Sequence, residues 1–391
     1  MISQTAYNRI YKFARACLKP ITRLRYGFTT DLVPDLEEPF LMLSNHTTEE
    51  DMFFTTLACR QPVHFVCGEH LLRNKLYGGL LRNVVDPVAI PKGGAVFMAV
   101  KQLVKRVKAG ESFCMFPEGK RSYHGETIPA GESLGKLVKA AGCGLVTYRI
   151  EGGYFTYPRW ARNNKRKGHI EGHVVGVYSS DQLSHMTAGE ITGIINRDTY
   201  ENAYERQRKE KWVYKGKNLA QGLDSVLFMC PECGMEDTIR TDGDRFYCDC
   251  CHMEGSVDKY GFLVGAGLVY DNVLDWMRWI EGRFDEKIRS GSEEELLYTF
   301  ENTLLYEMDE DYINHDVCVN DLRVFKDSLQ IGEYKFILEN VPYMAVLYGN
   351  ILLFTYEKKY YGLTGEHFKA WKCARLWHLK MGDTDDRSKE I

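Results

Sequence analysis

This 391-residue chain contains no run of about 18 apolar residues, so its sequence offers no membrane-spanning helix. The longest uncharged stretch, 340–356, is interrupted by Pro342 and by Gly349-Asn350, a pair that between two apolar runs reads as a hairpin turn. The opening 20 residues lack the continuous apolar segment of a secretory signal. A basic excess is also missing: the net charge of −4 argues against a dedicated nucleic-acid binder. Twelve cysteines are present, but seven of them are scattered, which fits a reducing compartment better than a disulfide framework. A cytoplasmic protein is expected, with any membrane association peripheral, on the inner face.

The length implies two or three domains, and 44% hydrophobic with 27% charged residues is the balance of a globular protein. Between about 38 and 215, apolar runs alternate with helical patterns. Strands are predicted at 40–43, 63–66, 88–90, 112–116, 145–150 and 173–177, and helices near 50–58, 70–82, 93–109, 130–141 and 187–210. Such alternation predicts an α/β domain with a largely parallel sheet flanked by helices. Asn45 or Thr47 is the candidate cap of the helix at 50–58, and Gly110 the candidate stop of the one at 93–109. Residues 5–19 form a helical pattern in which Ile10, Phe13, Ala14, Cys17 and Leu18 share one face among Arg9, Lys12, Arg15 and Lys19. Pro20 is expected to end or kink it. That helix can lie in a membrane interface or pack on its own domain.

The remaining cysteines cluster. Cys230-Pro-Glu-Cys233 and Cys248-Asp-Cys-Cys251 are separated by 14 residues, and Asp242-Gly243 between them suits a hairpin. Four thiolates are what a tetrahedral structural Zn²⁺ requires. Cys230, Cys233, Cys248 and Cys251 are the expected ligands of a zinc ribbon, with Cys250 or His252 as substitutes for one of them and iron as the alternative metal. A helix follows at about 271–289, then an acidic linker, then strands at 322–325, 328–331, 334–338, 343–348, 351–356 and 360–363 and a closing helix at 365–380. That order suggests a pleckstrin-homology-like β-rich module. The domain reading is 1–25 interface helix, 26–220 α/β domain, 226–260 ribbon, 261–300 helical linker, 301–382 β-rich domain and 383–391 disordered tail.

Two motifs carry chemistry. In Asn45-His46-Thr-Thr-Glu-Glu-Asp51 a histidine and a carboxylate stand five positions apart, too far round for one face of a continuous helix. With His46 in the entering loop and Asp51 in the first turn, the two can meet. A carboxylate on one ring nitrogen would fix the tautomer and leave the other as a base for a hydroxyl proton. Alone, this spacing is explained as well by a chance pair or a cap. The second motif, Phe116-Pro-Glu-Gly-Lys-Arg-Ser122, follows a predicted buried strand, where α/β sheets place ligand-binding loops. There Arg121 offers a planar fork for phosphate oxygens, and Glu118 can accept from a hydroxyl or orient Arg121. Arg159, Arg162, Lys165, Arg166 and Lys167 form a basic loop suited to anionic headgroups or to plain solvation. Cys114 reads as a buried small apolar residue rather than a nucleophile.

In this order the two motifs resemble the glycerolipid acyltransferase family, known through 1-acylglycerol-3-phosphate acyltransferases. Asn45, His46 and Asp51 match its NHxxxxD block, and 116–122 matches FPEGTRS except that Lys120 replaces Thr. The second block corresponds to 79–92 but ends in Lys92 instead of arginine, and the fourth has Thr147 where proline is usual. The resemblance covers about 1–215. It implies transfer of a fatty acyl group from an acyl thioester (acyl-CoA or acyl carrier protein) to a lysophospholipid hydroxyl, first of all 1-acylglycerol-3-phosphate. It implies His46 as general base, Asp51 as its partner, and Glu118, Gly119, Arg121 and Lys92 as acceptor-binding residues, with no cofactor in catalysis. The alternatives are another lyso- or amino-lipid acceptor, or a non-catalytic lipid-binding scaffold.

Overall fold

The structure is a computed structural model that describes residues 4–72, 78–80, 85–90, 96–161, 164–292, 295–309, 313–347 and 350–381. Lys92, Arg162 and the acidic tail therefore lie outside the described residues. The chain forms two compact units, one holding 1–158 with 165–216, the other 159–164 with 217–384.

The first unit is built on seven strands: β1 (Thr29–Thr30), β2 (Phe40–Ser44), β3 (His64–Gly68), β4 (Val88–Ile90), β5 (Phe113–Met115), β6 (Gly144–Glu151) and β7 (Glu171–Tyr178). Their order is β1-β7-β6-β2-β5-β3-β4. β2 pairs in parallel with both β5 and β6, and the antiparallel member is β7 against β6. Every residue of β2 is buried, as expected of a strand covered by helices on both faces. Its alternation divides the core: Phe40 and Met42 face a cluster with Phe54 and Tyr148, while Leu41 and Leu43 face Leu103, Leu134 and Leu137. Parallel pairing also places the C-terminal ends of β2, β5 and β6 along one edge. The loops after β2 and β5 are the two sequence motifs, so the topology brings them side by side.

Local chemistry accounts for where the helices begin and end, and it departs from expectation at three places. The helix Asp51–Ala58 takes Glu50 as its N-cap without a side-chain cap, because Asn45 and Thr47 are engaged elsewhere. The predicted helix at 187–210 divides into Ala188–Thr199 and Ala203–Glu210. The second piece begins where Asn202 Oδ1 accepts the amides of Tyr204 and Glu205, an N-cap that competes with continuing the first helix. The opening helix runs through Pro20 from Gln4 to Tyr26, past the expected stop. Its inner face is anchored by Tyr7 Oη to the Val63 carbonyl and by Arg15 to the carbonyls of Thr56 and Leu57, the last turn of Asp51–Ala58. Away from these anchors Phe13, Ile21 and Leu24 are exposed. No described helix is long and apolar enough to cross a membrane.

The second unit opens with four antiparallel strands, β8 (Ile239–Asp242), β9 (Arg245–Cys248), β10 (Glu254–Val257) and β11 (Leu263–Val264). Gly243 turns the β8–β9 hairpin at φ +62°. The helix Val273–Ser290 packs onto this segment, with Trp276 Nε1 donating to the Met229 carbonyl. Seven strands follow: β12 (Leu296–Met308), β13 (Asn314–Phe325), β14 (Ser328–Ile331), β15 (Tyr334–Ile337), β16 (Tyr343–Leu347), β17 (Ile351–Tyr356) and β18 (Lys359–Thr364). Their order is β15-β14-β13-β12-β18-β17-β16, and the helix Ala370–Lys380 ends the module. Two antiparallel meanders of four and three strands joined through β12, with one terminal helix, give the β-rich module expected. The long β12–β13 hairpin was largely hidden in sequence because few of its residues are buried and their burial shows no regular alternation. β12 begins at Leu296, within the stretch read as linker.

Candidate active site

The loop between β2 and the helix Asp51–Ala58 is shaped by one carboxylate. Asp51 is fully buried, and donors converge on its two oxygens: the Thr47 amide and hydroxyl, the Thr48 amide and hydroxyl, and the His46 ring. A buried carboxylate needs this many partners. The bond of interest is His46 Nδ1 to Asp51 Oδ2, 2.9 Å. With Nδ1 bonded to a carboxylate, Nε2 remains as the basic nitrogen. The imidazole stacks on Phe116 of the second motif, ring centroids 4.7 Å apart, and about a quarter of its side-chain surface is exposed, at 24%.

The second motif closes on the first through Glu118. Its Oε1 accepts the His46 amide at 2.6 Å and its Oε2 accepts that of Ile128 at 2.9 Å. Burial pushes this carboxyl up to about 8, against the two amides that favour its charge. Both oxygens thus serve the backbone, so the structure gives Glu118 a scaffolding bond beyond either role expected for it. Gly119, at φ +62°, turns the loop as its sequence position suggested. Arg121 does not pair with Glu118. Its Nη2 lies 3.3 Å from Glu49 Oε1, its Nη1 reaches the Tyr157 carbonyl, and its guanidinium carbon is 5.2 Å from the centre of the Tyr157 ring.

Further residues shape the site, among them Asn45 of the first motif and Glu201, which the sequence did not single out. Asn45 receives the Ile150 amide on Oδ1 at 2.7 Å and donates Nδ2 to the Ile150 carbonyl at 2.8 Å, which stitches the end of β2 to β6. The same Nδ2 is 3.4 Å from Glu201 Oε2. Glu201 belongs to the break between Ala188–Thr199 and Ala203–Glu210. It binds Arg206 Nε at 2.8 Å and the Gly152 amide at 3.3 Å. Its backbone pairs with Thr127, beyond the second motif. A cleft lined by Asn45, His46, Glu118, Thr127, Tyr154 and Glu201 results. Reading 187–210 as one helix concealed Glu201; the Asn202 cap was the available signal. The departure at Thr147 also has a structural use, since its hydroxyl donates to Asp198 Oδ2 at 2.8 Å, a bond proline could not make. Cys114 is buried in β5 with its thiol pushed up to about 12 by burial, as suits a packing residue.

The basic loop is not a uniform charged patch. Arg166 is buried, Lys167 pairs through its backbone with Lys215, and Lys165 bonds Glu50 Oε1 at 2.7 Å.

Residues 25–151 match the family model described as Acyltransferase. This stretch is an acyltransferase-family domain. Among solved structures the chain is similar to the crystal structure of the 1-acyl-sn-glycerophosphate (LPA) acyltransferase PlsC from Thermotoga maritima, with 16% identity and a TM-score of 0.43 over 54% of this chain and 85% of that chain. No curated protein matches. The matched stretch of the acyltransferase domain contains both motifs and ends at the last residue of β6, so the Asn45–Ile150 stitch lies within it and Glu201 beyond it.

In the second unit the Sγ atoms of Cys230, Cys233, Cys248 and Cys251 all lie within 4.8 Å of one another. Among the described residues this is the one such group of histidine, cysteine or carboxylate side chains. Four soft thiol donors at that separation fit a tetrahedral metal ion. Cys250 is exposed and outside the group, and the left-handed turn at His252, φ +61°, follows the second knuckle.

Proposed function

We propose that the protein transfers a fatty acyl group from an acyl thioester to the hydroxyl of a lysophospholipid, with 1-acylglycerol-3-phosphate as the first candidate acceptor and phosphatidate as product. The observation that carries this reading is the His46–Asp51 bond at 2.9 Å beside the Phe116–Ser122 loop. His46 Nε2 takes the proton of the acceptor hydroxyl while that oxygen attacks the thioester carbonyl. Asp51 stabilises the imidazolium as it forms. The tetrahedral intermediate expels the thiolate, which recovers the proton from His46, so proton and electron pairs balance. Arg121 binds the acceptor phosphate, and Lys92 is a second candidate for that role. An intact base–carboxylate pair favours an enzyme over a scaffold that has kept only the shell.

The exposed Phe13, Ile21 and Leu24, beside Lys12, Lys19 and Arg23 on one amphipathic helix, support peripheral binding to an anionic membrane face. The four cysteines would hold a structural zinc.

Incubation of the purified protein with acyl thioester and a panel of lyso-acceptors, read by mass spectrometry, tests the reaction. Product is expected with lysophosphatidate, and His46→Ala should lose about 10²–10⁴-fold in kcat. No product with any acceptor would defeat the proposal; near-normal turnover of His46→Ala would remove His46 from its role.

A further inference from the structure

Arg121 does not meet Glu49 alone. Lys165 lies 2.7 Å from Glu50 Oε1 and 4.0 Å from Glu49 Oε2. Tyr157 is shared by the two cations, its ring centre 5.2 Å from the Arg121 guanidinium carbon and 4.8 Å from Lys165 Nζ. The two carboxylates belong to the loop between His46 and Asp51, so the cluster is tied directly to the proposed base. Its components differ in how firmly they are held. Glu50 is mostly buried, at 15% exposure, and also accepts from Tyr26 Oη, whereas Glu49 is 44% exposed and touches both cations only at 3.3 and 4.0 Å. Arg121, at 13%, is the less exposed cation, and Lys165, at 32%, remains accessible.

A planar guanidinium and an ammonium gathered at one aromatic ring can together hold the oxygens of a phosphate monoester. In sequence Lys165 reads only as one member of a basic loop; the fold brings it to this cluster from the connection after β6. Resting on the acyltransferase reading above, we propose that Lys165 is a second cation of the acceptor's phosphate subsite, and that Glu49 holds that subsite in the empty enzyme as an internal counterion that the acceptor displaces. Arg121 and Lys165 balance Glu49 and Glu50 while the subsite is empty. When the phosphate displaces Glu49, a dianion replaces a monoanion. This selects phosphate-monoester acceptors over zwitterionic ones, whose headgroup amine would meet the same two cations.

The two roles predict opposite signs, which a general loss of folding cannot mimic. Lys165→Gln should raise KM for lysophosphatidate about tenfold, the size of one charge-assisted hydrogen bond, with kcat little changed. Glu49→Gln should lower that KM without raising turnover of lysophosphatidylethanolamine relative to lysophosphatidate, because both cations remain to oppose its amine. Binding is measured independently of turnover by phosphorus NMR titration of glycerol 3-phosphate into the full-length protein: weaker with Lys165→Gln, tighter with Glu49→Gln. Unchanged binding in Lys165→Gln, or weakened binding in Glu49→Gln, overturns the subsite even if acylation proceeds. Opposite shifts in binding without acylated product from any acceptor would keep the subsite and defeat the reaction.

Discussion

Glu118 and His46 are joined through the main chain, the carboxylate of one accepting the amide of the other at 2.6 Å. A side chain from the second motif therefore sets the backbone of the loop that presents the proposed base. The two motifs are one mechanical piece, held by a group that titrates far from the ordinary carboxylate range.

That titration has a sign. Burial raises the folded pKa of Glu118 to about 8, so the folded protein keeps a proton that the unfolded chain releases above about pH 4.3. The associated stability is complete below the unfolded pKa and is lost as pH rises through about 8. Tm of the acyltransferase domain should decline from about pH 6 to about pH 9 by more in the wild type than in Glu118→Gln, which cannot ionise. Parallel pH profiles for the two proteins would show that Glu118 is not the source.

Glu201 and Arg206 form a buried ion pair, with side-chain exposures of 6% and 9%. The Arg206 guanidinium carbon also rests 4.3 Å from the Trp212 ring centre. Glu201→Ala leaves that charge uncompensated and should destabilise the domain by about 3–5 kcal/mol in urea denaturation. Adding Arg206→Met should restore most of the loss. A single variant within about 0.5 kcal/mol of wild type would mean the pair does not hold the cleft wall.

Gly153 begins the short helix after β6, and a Cβ there would fall 2.0 Å from Thr47 Oγ1 and 2.8 Å from Thr47 Cβ. Thr47 donates to Asp51 with both its amide and its hydroxyl. Gly153→Ala should therefore disturb the His46 loop and reduce kcat by about 10²-fold. Gly189→Ala, in a helix with nothing within 4 Å of the new carbon, should leave kcat unchanged. Equal kinetics in the two variants would contradict the packing argument.

Metal removal should act on the second unit. Lys372 of the terminal helix is fully buried and bonds Glu236 at 2.7 Å and Asp237 at 2.8 Å, residues that follow Cys233 in the ribbon. Loss of the metal would free the segment that neutralises Lys372 and so loosen the β-rich module. Elemental analysis should find about one zinc per chain, absent in Cys251→Ser and retained in Cys250→Ser. Hydrogen exchange should show increased opening of Ala370–Lys380 only in the former. Full metal content in Cys251→Ser would reassign the ligand.

Much of this protein was determined by its sequence alone. Alternating apolar runs specify an α/β sheet because burial on both faces demands them, and the β2 and β5 strands appear at nearly their predicted limits. The His46, Asp51, Phe116–Ser122 and cysteine spacings mark candidate sites because those functional groups are written in residue type. Only the tertiary structure decided who partners whom. Glu118 turned to the backbone, Arg121 to Glu49 and Thr147 to Asp198, because each buried polar atom takes the donor or acceptor that packing brings within reach. Glu201 came from a helix break with no motif, and Lys165 from a basic loop whose partners the sequence did not name, since a break in a helix and the return of a distant segment are contacts between chain regions. The first stretch, His46 to Asp51, was legible as an imidazole and a carboxylate able to meet; that Phe116 of the second motif stacks on that imidazole follows from parallel strands ending at one edge.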